Sequence, residues 1–193
     1  MKTLLLAGAA AVALSVSAHA APLNGTGAVA IVGVSSSAAT IGAGTTFTNT
    51  LFSVLGSGTG DLMPVAGQFV VLSPVTATVG SMVNFTSVFG TFAGSVVPFG
   101  VAASGPVTNR VVDVFALGTF SPAGALVGFD AGPMSATFSF TQTGGPGSAV
   151  SGSFSIASPP APPPPPPGVP APAALALFGM GLAGLGLLAR RKA

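Results

Sequence analysis

Met134 to Gln142 reads MSATFSFTQ, and its alternation decides the fold class. Met134, Ala136, Phe138 and Phe140 fall on one side of an extended chain, and Ser135, Thr137, Ser139 and Thr141 fall on the other. Successive side chains of a strand point to opposite faces, so this period of two marks a half-buried β-strand. Val150, Gly152, Phe154 and Ile156 alternate with Ser151, Ser153 and Ser155 in the same way. The Gly/Pro-rich link Thr143 to Ala149 closes the two strands into a hairpin.

Working back towards the N-terminus, further strands are expected at Ala28 to Val34, Thr40 to Thr48, Gln68 to Leu72 and Val75 to Val79. Others follow at Val83 to Phe92, Ser95 to Val101 and Val111 to Phe120. Gly-rich breaks at Gly56 to Gly60, Ser104 to Pro106 and Ala131 to Pro133 read as turns. Many short strands at this spacing, with no long amphipathic helix and no repeat period, favour an antiparallel β-sandwich or barrel over βαβ units. Phe85, Phe89, Phe92, Phe115, Phe120, Phe138, Phe140 and Phe154 are the expected large core residues.

Four of the five cations, but none of the three aspartates, lie at the two ends of the chain. The whole sequence carries a formal +2, yet between Ala21 and Ser158 the charged residues are Arg110, Asp61, Asp113 and Asp130, a net of −2. No basic patch remains there to neutralise phosphates, and without Trp or Tyr to stack bases, nucleic-acid binding is rejected. There is no Cys, so this stretch must hold together without disulfides, and its solubility rests on Ser, Thr, Asn and Gly.

The same poverty limits chemistry. The single His, His19, sits near the N-terminus, and Cys, Tyr and Glu are missing altogether. A Ser-His-Asp triad and a Cys nucleophile each lack a member, so no catalytic residue, cofactor or metal site is assigned. A paired-carboxylate hydrolase would have to draw on Asp61, Asp113 and Asp130. Asp61 and Asp130 lie beside Gly-rich turns, where Asp commonly bonds backbone, and Asp113 reads as an edge charge or a partner of Arg110. Asn24-Gly25-Thr26 and Asn84-Phe85-Thr86 satisfy the N-glycosylation pattern, taken here as chance matches.

Both ends read as targeting segments. Met1 to Ala20 has Lys2, an apolar core Leu4 to Val16 and the small-x-small site Ala18-His19-Ala20, so signal peptidase is expected to cut after Ala20. After the β-rich region, residues 159–168 form a linker with six consecutive prolines, Pro162 to Pro167. As polyproline II at about 3.1 Å per residue, Pro159 to Pro170 reaches roughly 37 Å, a stiff spacer. Ala173 to Ala189 follows, 17 residues without a charge. A helix of that length spans roughly 26 Å, the short end of a transmembrane helix, and would contact membrane lipid. Arg190, Arg191 and Lys192 then stay cytoplasmic and leave the preceding chain outside.

In Val169, Pro170, Ala171 and Pro172, followed by a Gly/Leu/Ala-rich helix and a basic end, residues 169–193 resemble the PEP-CTERM family of sorting signals. Ala171 stands where that family usually has Glu. The resemblance implies an exosortase, an integral-membrane cysteine protease-transpeptidase of Gram-negative bacteria, as the partner that reads the motif. It further implies passage across the inner membrane, transient anchoring, and release to the cell surface or an exopolysaccharide-rich biofilm matrix. A plain single-span anchor is the alternative. The expected organisation is a signal peptide at 1–20, a passenger at 21–158, the linker, and the sorting signal with helix 173–189 and tail 190–193. The passenger is expected to be a structural or adhesive non-enzyme, with exopolysaccharide as its expected partner. As a binding module, its Thr137 to Thr141 face would offer hydroxyls to glycan or ice.

Overall fold

The chain is described over residues 20–163 in a computed structural model. The expected signal peptide residues before Ala20, the helix 173–189 and the basic tail all lie outside the described residues. Among the described residues the strands are β1 (Ala21–Pro22), β2 (Gly25–Ser36), β3 (Thr46–Gly58), β4 (Phe69–Leu72), β5 (Val75–Thr76) and β6 (Met82–Ser87). They continue as β7 (Gly90–Ser104), β8 (Asn109–Pro122), β9 (Phe129–Asp130), β10 (Gly132–Thr143) and β11 (Val150–Ser158).

The eight longer strands form a closed antiparallel barrel, in the order β2, β3, β4, β6, β7, β8, β10, β11 and back to β2. Each pairs with the next along the chain, an up-and-down path, and β11 pairs with β2 from Val150↔Val34 to Ser158↔Gly25. Of the two architectures the alternation allows, the chain takes the barrel. The expected C-terminal hairpin is present, with Phe138 opposite Phe154 in the β10–β11 register.

Most inward-facing positions of the barrel strands are apolar. Met134, Ala136, Phe138 and Phe140 of β10 are buried, as are Phe154 and Ile156 of β11. The rings form a continuous column. Phe47 stacks on Phe140 at 3.8 Å, Phe138 on Phe154 at 4.8 Å and Phe85 on Phe92 at 5.2 Å, with Phe120 and Phe89 extending the chain of contacts. Room for these rings comes from two cross-strand glycines, Gly94 on β7 and Gly118 on β8. A Cβ on Gly118 would collide with the Ala93 carbonyl and the Gly94 Cα, and one on Gly94 would come 2.6 Å from the Phe92 ring.

Both ends of the barrel are plugged. At one, the loop between β2 and β3 folds inwards and buries Ile41 completely. Gln142, also fully buried, holds this loop: its Oε1 accepts from the Ile41 N–H at 3.1 Å, and its Nε2 donates to the carbonyls of Ala39 (2.8 Å) and Ser148 (3.1 Å). Arg110 completes the clamp, donating through Nε to the Ile41 carbonyl and through Nη1 to that of Gly105. At the opposite end, 3-10 turns at Gly60–Val65 and Gly124–Leu126 insert Leu62, Val65 and Leu126.

The element boundaries differ from the sequence reading where loops carry apolar residues. Val83 to Phe92 is a hairpin and not one strand: β6 ends at Ser87, Phe89 is buried in the turn, and β7 starts at Gly90. Thr40 to Thr45 is the plug, so β3 begins only at Thr46 and runs through the expected Gly56 turn to Gly58. β5 stops at Thr76, and the Ser73–Pro74 break separates it from β4, Pro having no N–H for the ladder. β10 already begins at Gly132, inside the turn expected at Ala131 to Pro133.

Two substitutions measure the column and the plug. Phe47→Ala is expected to cost about 3–5 kcal/mol, the range for a large buried aromatic. Gln142→Ala strands the buried Ile41 N–H and takes a donor from the part-buried Ala39 and Ser148 carbonyls, and is expected to cost about 2–3 kcal/mol. Ser151→Ala on the outer face should stay within about 0.5 kcal/mol. Urea denaturation of the three variants checks these values.

Candidate functional site

The residues singled out for sorting fall largely beyond the described residues: Ala18, Val169, Pro170, Ala171, Pro172, Arg190, Arg191 and Lys192. Ala20 is the first described residue, directly ahead of β1.

The three aspartates are dispersed into different settings. Asp61 is a tether, its Oδ2 accepting from the Asn24 N–H at 2.8 Å while its own N–H donates to the Asn24 carbonyl at 2.9 Å. Asp130 is exposed on β9, opposite Pro22 of β1. Asp113 is half-buried on the outer wall of β8, between Ala102 and Ser139, and is a barrel-wall residue with strands on both sides. Arg110 lies on the opposite face of that strand by parity, with its guanidinium engaged by the plug. Among the described residues no three acidic side chains converge to hold a metal.

What the strands do assemble is a polar outer face. Registers across β8, β10, β11, β2 and β3 place Phe115, Thr137, Ser155, Ala28 and Ser57 in one row. The next row holds Asp113, Ser139, Ser153, Ala30 and Val54. A groove of about 420 Å³ runs over this face between β10 and β3. Its depth has a simple origin: Ala28, Ala30 and Gly56 project nothing beyond Cβ, so the surface sinks between the hydroxyl-bearing strands. The chain itself bounds the face on one side, since Ser135 is buried and its Oγ accepts from the Ala161 N–H at 2.9 Å. The first residues of the expected spacer therefore lie against the barrel.

On the β7 side the face meets a strained arch. The β7–β8 register jumps from Val96↔Ala116 to Val101↔Val114, so Val97 to Gly100 stand opposite the single residue Phe115. Phe115, expected in the core, points outwards by parity, yet it is only 1 % exposed, and the arch is the segment placed to cover it. Phe99 at the arch has φ 61° and is 76 % exposed. A bulky residue in the left-handed region costs about 1–3 kcal/mol, and here no burial of the ring offsets it. Sequence reasoning missed this residue, although Pro98-Phe99-Gly100 carries a turn signal within an apolar run.

A second outer feature is apolar. Phe52 and Phe69 meet edge to face at 5.9 Å, and with Leu51 and Val71 they line a shallow groove of about 320 Å³ on β3 and β4. No protein-family model, curated protein or solved structure matches this chain.

Proposed function

We propose that this chain is an exported surface or extracellular-matrix protein, sorted by an exosortase-type protease, whose barrel plays a structural or adhesive role in an exopolysaccharide setting. The targeting segments at both ends support the sorting step. The observation that carries the reading is polarity. The chain enters and leaves the barrel at one end, where the Ser158 Oγ donates to the Leu23 carbonyl at 2.9 Å. While both targeting segments are attached, this arrangement lets both tethers face the bilayer, and after cleavage at Ala20 the C-terminal one still leaves from that end, with the opposite end and walls facing outwards. The absence of a catalytic constellation in the sequence favours a non-enzyme.

A second reading, a glycan- or ice-binding module, is favoured by the hydroxyl-lined groove between β10 and β3. The two are compatible, since a displayed adhesive barrel needs a surface that holds the matrix.

Intact-mass analysis of protein recovered from the native host's membrane and medium tests the sorting. The expected product begins at Ala21 and ends between Pro170 and Ala173. Replacing Arg190, Arg191 and Lys192 with alanine should abolish correct retention and lower the yield of that product. A membrane-bound species keeping Ala193 in cells with active sorting would make the chain a plain single-span protein and remove the exosortase.

A further inference from the structure

We propose that the outer face from the Phe99 arch across Asp113 to the Thr137/Ser155 and Ser139/Ser153 rows is a binding site for a neutral polysaccharide laid across the strands. The inference rests on the glycan reading given above and assigns it a place and a ligand class.

Three kinds of group meet on this face. The hydroxyls of Thr137, Ser139, Ser153 and Ser155 each donate and accept, so they can pair with sugar hydroxyls in either direction. Asp113, adjoining Ser139, accepts only, and a sugar hydroxyl donating to it makes a charge-assisted bond. Phe99 adds an exposed ring against which the C–H face of a sugar can pack. Its strain has no counterpart in packing, which is the pattern of a side chain held for contact with something else. From β7 to the first hydroxyl strand, β10, is two strand spacings, roughly 10 Å, and the face extends about 14 Å further to β3. A chain of several rings is the ligand that reaches from arch to groove.

Charge and shape narrow the class. Asp113 is the sole charge in the two rows; it repels an anionic chain, whereas a neutral one can donate a hydroxyl to it. An ice plane needs a flat surface, whereas this one is sunken at Ala28, Ala30 and Gly56 and raised at the arch. A protein partner would look for buried aromatic or Arg anchors, and the groove offers small side chains instead.

The test uses the full chain in detergent on an array of neutral glucans, galactans, mannans and chitin oligosaccharides, followed by titration of the best binder. Phe99→Gly separates contact from folding, because glycine adopts φ 61° without strain. It is expected to lower affinity roughly tenfold while the melting temperature holds or rises. Thr137→Val, which keeps the shape and removes the hydroxyl, should weaken binding as well. Glycan binding left unchanged by both variants would overturn this site and leave the glycan reading standing. Binding to no neutral glycan would overturn both, and ice-recrystallisation inhibition that Thr137→Val abolishes in a chain binding no glycan would assign the face to ice.

Discussion

Pairing of the last strand with the first, β11 with β2, is the constraint on which the rest of the structure depends. A sheet left open would expose two rows of backbone N–H and C=O groups, and edges of that kind recruit other chains. Natural edges are usually guarded by Lys, Pro or inward charges, yet the described strands contain no Lys and only three charged residues. Closure removes the edges and makes such guards unnecessary. It also creates a single interior in which the phenylalanines from both halves of the chain stack into one column, so the seam and the core support each other.

Two of the four charges among the described residues are used as fasteners, with the neutral Gln142 beside one of them. Arg110 and Gln142 hold the Ile41 loop in one mouth of the barrel, and Asp61 ties the 3-10 turn at the other mouth to Asn24. Of these bonds, the one from the Ile41 N–H to Gln142 is buried, and leaving that N–H unpaired would cost about 1–3 kcal/mol. The sidedness of the wall is the reverse of a lipid-spanning barrel: phenylalanines fill the inside, and Ser and Thr dominate the outside of β10 and β11. With its interior occupied by side chains, the barrel has its outer wall to offer as a binding surface. Small residues there make a groove, and larger apolar ones on β3 and β4 make a separate patch.

In the proposed export pathway, the arrangement of the chain ends couples fold to delivery. Signal-peptide removal after Ala20 would leave β1 as the first segment, seated beside β9. At the other end the chain passes from Ser158 along Ser135 before the polyproline run, so the spacer starts from a fixed point on the barrel wall. A stiff linker attached to a fixed exit directs the barrel away from the bilayer more effectively than one attached to a loose end. The same returning tail forms one boundary of the hydroxyl face, which therefore lies on the wall beside the tether.

The alternation in β10 and β11 was legible from residues 134–156 alone, because a period of two is a property of neighbouring residues and survives any tertiary arrangement. The burial of Phe138, Phe140 and Phe154 and the β-rich class followed from it. Whether the sheets face each other or close was not legible, since that depends on the pairing of β2 with β11, more than a hundred residues apart in the chain. Nor was the plug: the Gly42-Ala43-Gly44 break marks a turn, but the seating of Ile41 in the barrel mouth depends on the buried Gln142, a hundred residues further along the chain. Phe115 and Phe99 make the same point for the candidate site. Apolar character placed both rings in strands, but the extra residues in β7 put one beneath the arch and the other in solvent, a choice made by cross-strand register and not by local pattern.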